Sequence, residues 1–224
     1  MVLKSKVITA VAAAAAGLLS ATAHADLVYS SSGTTTSSGT GVALSSTNFS
    51  HYTYPSTVPT GVTVYNDDLT ATLGGSVTYT YLGAEAGYQN KFATTTPTTL
   101  FTTPGTAGTF VACTTACTSS SFTVTAGKLP FEFITGAPTP VTVSNVPALG
   151  SAGGNGPSEP DYYVYLQSPD VAYLYLNDAG AGSDRDYNDM IIRVNFTPVP
   201  EPSTYALLFS GLAMFGWLAR RRVR

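Results

Sequence analysis

The chain has 224 residues, of which only 10% are charged, and its formal net charge is −3. Six of the ten basic residues lie in the two tails, so residues 26–200 hold four (Lys91, Lys128, Arg185, Arg193) against twelve acids, a net charge of −8. No basic patch exists to meet a phosphate backbone, which argues against a nucleic-acid partner. His51 is the one histidine beyond residue 25, so histidine-rich zinc or acid–base centres are excluded.

The first 25 residues read as a secretory signal peptide. Lys4 and Lys6 precede the apolar run VITAVAAAAAGLL, and Ala23-His24-Ala25 supplies the small residues of a cleavage site. Residues 26–60 follow as a leader rich in Ser, Thr and Gly, with SSSGTTTSSGTG as its extreme. Such a composition buries little and reads as an extended arm. From residue 61 to 197 short alternating segments are set off by Gly and Pro. They are GVTVYN, LTATL, SVTYTYLG, SFTVTAG, PFEFITG, PVTVSN, DYYVYLQ, VAYLYL and MIIRVNF. Valine, threonine and aromatics dominate them, and no helical period competes. The expected fold is all-β, an antiparallel sandwich of jelly-roll type.

Cys113 and Cys117, in ACTTAC, are the sole cysteines. A local disulfide suits an exported protein and would add about 2 kcal/mol in the chain-entropy model. A metal pair and two free thiols are the other options. Five tyrosines, at 162, 163, 165, 173 and 175, suggest either a sugar-stacking platform or ordinary strand residues, and the second is the simpler account.

GSDRDYND, residues 182–189, crowds Asp184, Asp186 and Asp189 around one arginine. In the strand that follows, Met190, Ile192, Val194 and Phe196 share one parity and are expected to face the core. Arg193 and Asn195 are expected to face water. Carried backwards, that parity aims Asp184, Asp186 and Asn188 at the core face, where unpaired carboxylates are too costly to stay ionised. Two arrangements answer the problem. Calcium, which takes roughly 6–8 oxygen ligands, could be held by Asp184, Asp186, Asn188, Asp189 and Asp178. Alternatively a hairpin could cap its own backbone with Asp and Asn side chains and pair a carboxylate with Arg185 or Arg193. The excess of acid favours calcium. The loop is not an EF-hand, because Asp189 stands where that loop needs glycine and Asn195 where it needs glutamate.

SDRDYNDMIIRV, with YLGAEAGYQNKF at 81–92 and PFEF at 130–133, resembles an uncharacterised domain of secreted bacterial proteins. That domain ends in a D-x-D-Y-[ND]-D motif and a hydrophobic strand. The resemblance implies a shared surface that includes Glu85 and Asn90, which a strand-end turn explains equally well.

At the C-terminus, VPEPS (199–203) holds Glu201 between Pro200 and Pro202 in extended backbone. An uncharged stretch, YALLFSGLAMFGWLA, and an arginine cluster follow. Counted from Ser203 the segment has 17 residues, and it is expected to be a transmembrane helix. Pro-Glu-Pro, apolar helix and arginines over residues 198–224 resemble the PEP-CTERM sorting signal of Gram-negative bacteria. The resemblance implies processing by an exosortase, a membrane-anchored precursor, and release to the cell surface or medium where exopolysaccharide is made. The chain therefore reads as a non-enzymatic surface or matrix protein of biofilm. A calcium-dependent carbohydrate-binding module is the alternative.

Overall fold

A computed structural model of the chain describes residues 26–30, 41–44, 56–94, 98–136, 140–145, 160–178, 187–199 and 202–222. The expected signal peptide lies outside these residues. Two compact units are present, one running from Ala25 to Val199 and the other containing the segment from Pro200 to Arg224.

The first unit is built of strands. Its first third carries β1 (Leu27–Tyr29), β2 (Gly41–Ala43), β3 (Thr63–Tyr65), β4 (Leu69–Ala71) and β5 (Gly75–Ala84). Then come β6 (Lys91–Thr94), β7 (Thr98–Thr102), β8 (Val111–Ala112), β9 (Phe122–Val124) and β10 (Gly127–Lys128). The last are β11 (Phe131–Ile134), β12 (Thr142–Ser144), β13 (Asp161–Ser168), β14 (Val171–Asn177) and β15 (Met190–Pro198). All pairings between these strands are antiparallel. They form three sheets: β1-β4-β10, β12-β11-β6-β7, and an eight-stranded sheet ordered β2-β3-β13-β14-β15-β5-β8, with β9 also on β5. A meander, β13-β14-β15, makes the centre of the largest sheet.

Alternation drives the packing. β5 buries every second residue along most of its length, sending Val77, Tyr79 and Tyr81 inward and Thr78 and Thr80 outward. Phe92, Phe131 and Phe133 from the four-stranded sheet meet Tyr79 and Tyr162 from the largest sheet, with ring centroids 4.9 Å apart for Tyr79–Phe92 and 5.4 Å for Phe131–Tyr162. Leu27 and Leu69 of the three-stranded sheet join the same core. Each such side chain contributes about 1.5–3 kcal/mol by leaving water. Side chains of all three sheets thus share one apolar core, the packing that a sandwich requires.

The β domain begins earlier than the sequence suggested. Leu27–Tyr29 pair with β4 and are buried, and Gly41–Ala43 pair with β3. Part of the Ser/Thr/Gly-rich leader is therefore built into the sheets, where backbone ladders stabilise it and Leu27 and Tyr29 reach the core.

The second unit carries one described helix, α1 (Pro202–Arg222), which opens on a proline, a residue suited to the first helical turn. No helix among the described residues is long and apolar enough to cross a membrane. The expectation of a transmembrane helix is corrected accordingly. The uncharged run from Tyr205 to Ala219 rises only about 22 Å as a helix, against roughly 30 Å of hydrocarbon. The helix reaches its full length by including Pro202, Ser203, Thr204 and three arginines. Within it, the Arg221 guanidinium lies 4.4 Å from the centroid of the Trp217 ring.

Candidate metal centre

The acid-rich loop is strung between β14 and β15, and its base is described while its tip is not. Asp184 and Asp186 lie outside the described residues. Asp178, Asn188 and Asp189 lie within them, and all three are buried.

Amide donors organise this base. The Asp178 backbone N–H donates to Asp189 Oδ2 at 2.7 Å, closing the loop where the two strands part. The Asn90 side-chain amide donates to Asp178 Oδ2. Asn90 is itself held on every side. Its Oδ1 accepts from the Gly136 N–H at 2.9 Å, its N–H donates to Thr103 Oγ1 at 2.8 Å, and its carbonyl accepts from the Thr103 N–H at 2.8 Å. Gly136 must be glycine for this, since a Cβ there would stand 2.6 Å from the Gln89 backbone. Glu85 braces the other side. Its N–H donates to the Asn188 carbonyl at 2.9 Å, and its carboxylate accepts from the Gly108 N–H. Asp189 is thus met by a backbone N–H of its own hairpin, as the backbone-capping arrangement requires, whereas Asp178 is met by the side-chain amide of Asn90.

The next layer contains an anomaly. Asn177, the last residue of β14, is 0% exposed, and neither its Nδ2 nor its Oδ1 has a hydrogen-bond partner. It stands directly across from buried Asp161 in the β13–β14 register. Asn66 Nδ2 donates to Asp161 Oδ2 at 3.3 Å. Beside this pair, burial pushes the Tyr163 phenol well up, and the charge of Asp161 adds to the shift. Among the described residues no group of three or more His, Cys, Asp or Glu side chains is arranged to hold a metal ion. The donor types at the loop base, carboxylates and amide oxygens, are nevertheless those that calcium takes.

Sequence reasoning found Asp178, Asn188 and Asp189 by their crowding, and it met Asn90 and Glu85 through a resemblance. It missed Asp161 and the orphaned state of Asn177, since neither has a local signature. The tyrosine platform does not form, because Tyr162, Tyr163, Tyr173 and Tyr175 are buried and Tyr165 is half-exposed. The Tyr175 hydroxyl donates to the Pro59 carbonyl at 3.0 Å, under a cover that includes Leu44 and Val58. Arg193, expected as a possible partner for a carboxylate, has no ion pair among the described residues.

Cys113 and Cys117 lie at disulfide distance, with Cα atoms 5.8 Å apart. Their loop clasps the edge of β5. The Tyr81 N–H donates to the Cys117 carbonyl at 2.7 Å, and the Cys113 N–H donates to the Leu82 carbonyl at 3.1 Å. The staple therefore sits where β15 shifts register against β5, between Ile191 and Ile192.

Pro200 and Glu201 lie outside the described residues, and Pro202 is the first residue of α1. No curated protein and no solved structure matches the chain. Residues 198–222, which take in Pro200, Glu201 and Pro202, match the family model of the PEP-CTERM protein-sorting motif, and the chain thereby carries the signal of an exported protein processed by an exosortase.

Proposed function

We propose that the β domain is a non-enzymatic cell-surface or matrix component of biofilm, in which calcium locks the loop between β14 and β15. The observation that supports the calcium reading is the buried polar base of that loop: Asp178, Asn188 and Asp189 packed beside an amide, Asn177, that has no hydrogen-bond partner. An unsatisfied buried amide costs about 1–3 kcal/mol, a penalty that a ligand could relieve.

The residues that would hold the ion are Asp178, Asp184, Asp186, Asn188 and Asp189. Calcium would supply the positive charge that their oxygens lack. The chain's own contribution is positioning. Asn90 orients the Asp178 carboxylate, the Asp178 N–H orients that of Asp189, and Glu85 holds the Asn188 carbonyl. A rigid sandwich would then present its polar faces to exopolysaccharide. The alternative, a calcium-dependent carbohydrate-binding module reading sugars by tyrosine stacking, is less well supported because four of the five tyrosines are buried.

Thermal melting in calcium and in EDTA tests the reading. Calcium at about a hundredfold over its dissociation constant should stabilise the wild type by about 2.7 kcal/mol. The Asp184→Ala/Asp186→Ala double variant should lose that difference. Identical wild-type melting in the two buffers would end the calcium proposal and leave the sorting signal untouched.

A further inference from the structure

The largest sheet has an outward face, and at its centre stands an arginine that has no ion pair among the described residues. Arg193 lies in the middle of β15, is half-exposed, and its Nε is buried without a hydrogen-bond partner. This is one of four basic residues in a stretch that holds twelve acids. In so acidic a protein, a guanidinium with no carboxylate beside it is unexpected, because burying part of a charge is costly unless an opposite charge meets it.

The register defines its surroundings. Arg193 stands across from Tyr173 on one side and Thr80 on the other. Thr80 in turn bridges to Thr118, with their hydroxyl oxygens 3.3 Å apart. One row therefore runs Tyr173–Arg193–Thr80–Thr118, about 14 Å across three strand spacings. The neighbouring row places Asn195 against Thr78. Thr78, Thr80 and Asn195 are half-exposed and Thr118 is exposed. With Val171, which stands across from Asn195 on its other side, these two rows carry hydroxyls, an amide, one aliphatic side chain and one cation, and no carboxylate.

We propose that this face binds an acidic glycan, with Arg193 taking a sugar carboxylate and the threonine and asparagine side chains taking ring hydroxyls. The charge pattern selects the occupant. The acidic exported part repels polyanions, so a favourable site must be local, and the two rows around Arg193, which hold no carboxylate among the described residues, supply one. The patch spaces hydroxyl and amide groups across neighbouring strands around one guanidinium, which fits an acidic sugar chain better than an acidic peptide. This binding does not depend on calcium or on the acid-rich loop.

The test uses the purified full-length protein in EDTA, titrated over immobilised polygalacturonate, neutral dextran and polyglutamate. The wild type should bind polygalacturonate, bind dextran weakly or not at all, and lose affinity as salt rises. Arg193→Gln should weaken binding to polygalacturonate by about tenfold or more, while Arg193→Lys retains part of it. Because Arg193→Gln could disturb the sheet, Asn195→Asp provides a second reading. It adds a like charge beside the sugar carboxylate and should also weaken binding, with melting unchanged. Wild-type protein that ignores polygalacturonate, variants that bind it as well as wild type does, or equal binding to polyglutamate would each overturn the proposal. A response to polygalacturonate that appears only when calcium replaces EDTA would overturn it too, and would move the binding to the acid-rich loop.

Discussion

Asn90, Asn145 and Asn177 all sit at 0% exposure among the described residues, and the circumstances of the last two are opposite. Asn145 uses its whole side chain. Its Oδ1 accepts from the Leu69 N–H and the Tyr162 hydroxyl, both at 2.8 Å, and its Nδ2 donates to the Leu69 and Leu129 carbonyls, both at 2.7 Å. Asn177 uses none. The first ties β4, the start of β11 and β13 together behind the core. The second stands at the root of an acid-rich loop. Equal burial with unequal satisfaction separates a structural knot from a position that stores unfavourable energy, and stored energy of this kind is found where a ligand or a rearrangement can release it.

The comparison is broken most directly at the knot. Asn145→Ala should destabilise the domain by about 4 kcal/mol, since it removes four buried hydrogen bonds and leaves the Leu69 N–H without its acceptor, although the Leu69 and Leu129 carbonyls keep the N–H groups of Leu129 and Phe131. Urea unfolding would measure this, and a loss near that of an ordinary surface substitution would show that the network is not cooperative. Tyr162→Phe takes away one hydroxyl whose single proton lies between two acceptors, Asn145 Oδ1 at 2.8 Å and Asp68 Oδ1 at 2.9 Å, and should cost about 2 kcal/mol. This cost should depend on pH. Burial, with the Asp68 charge second, raises the Tyr162 phenol well above its ordinary value of 10.0. A raised folded-state value means that the contribution is complete below pH 10 and is lost as pH climbs through the raised value. Wild type and Tyr162→Phe should therefore converge in stability on the alkaline side, and a gap that stays constant there would assign the loss to packing instead.

How much of this was legible follows from where the information lies. The strand with the cleanest parity was read correctly. Met190, Ile192, Val194 and Phe196 do enter the core, and Arg193 and Asn195 are half-exposed. Ile191 was not readable as buried, because it clusters with Leu44 and Val58 from distant parts of the chain as well as with nearby Tyr187. The nine expected strands all contain strand, whereas β1, β2, β6, β7 and β8 were missed. These are short or threonine-rich, so their alternation is too brief or too polar to register. The helix at the C-terminus was foreseen as a helix, but counting its length from Ser203 concealed how few of its residues are apolar. At the loop, acids announce themselves by crowding. Asparagines do not, and Asn145 and Asn177 look alike in the sequence because their partners are set by sheets that pair across long separations.

The smallest expected effect bears most closely on the contrast between the two asparagines. Leucine is near asparagine in shape and has no polar atoms to satisfy. Asn177→Leu should therefore stabilise the domain in EDTA by about 1 kcal/mol, raising the melting temperature by about 2–4 °C for a domain of this size. The same change at Asn145 would be strongly destabilising, because there the amide is fully used. If the Asn177 oxygen joins the five proposed ligands, the order at position 177 should reverse in calcium. A variant that lacks the amide oxygen gains less from the ion, so wild type should melt higher. If Asn177→Leu lowers the melting temperature in EDTA, the amide is satisfied in solution and the two buried asparagines are the same kind of structural residue. If it raises the temperature equally in both buffers, the amide is a true orphan that calcium does not use, and the ion would have to be held by the loop carboxylates without it.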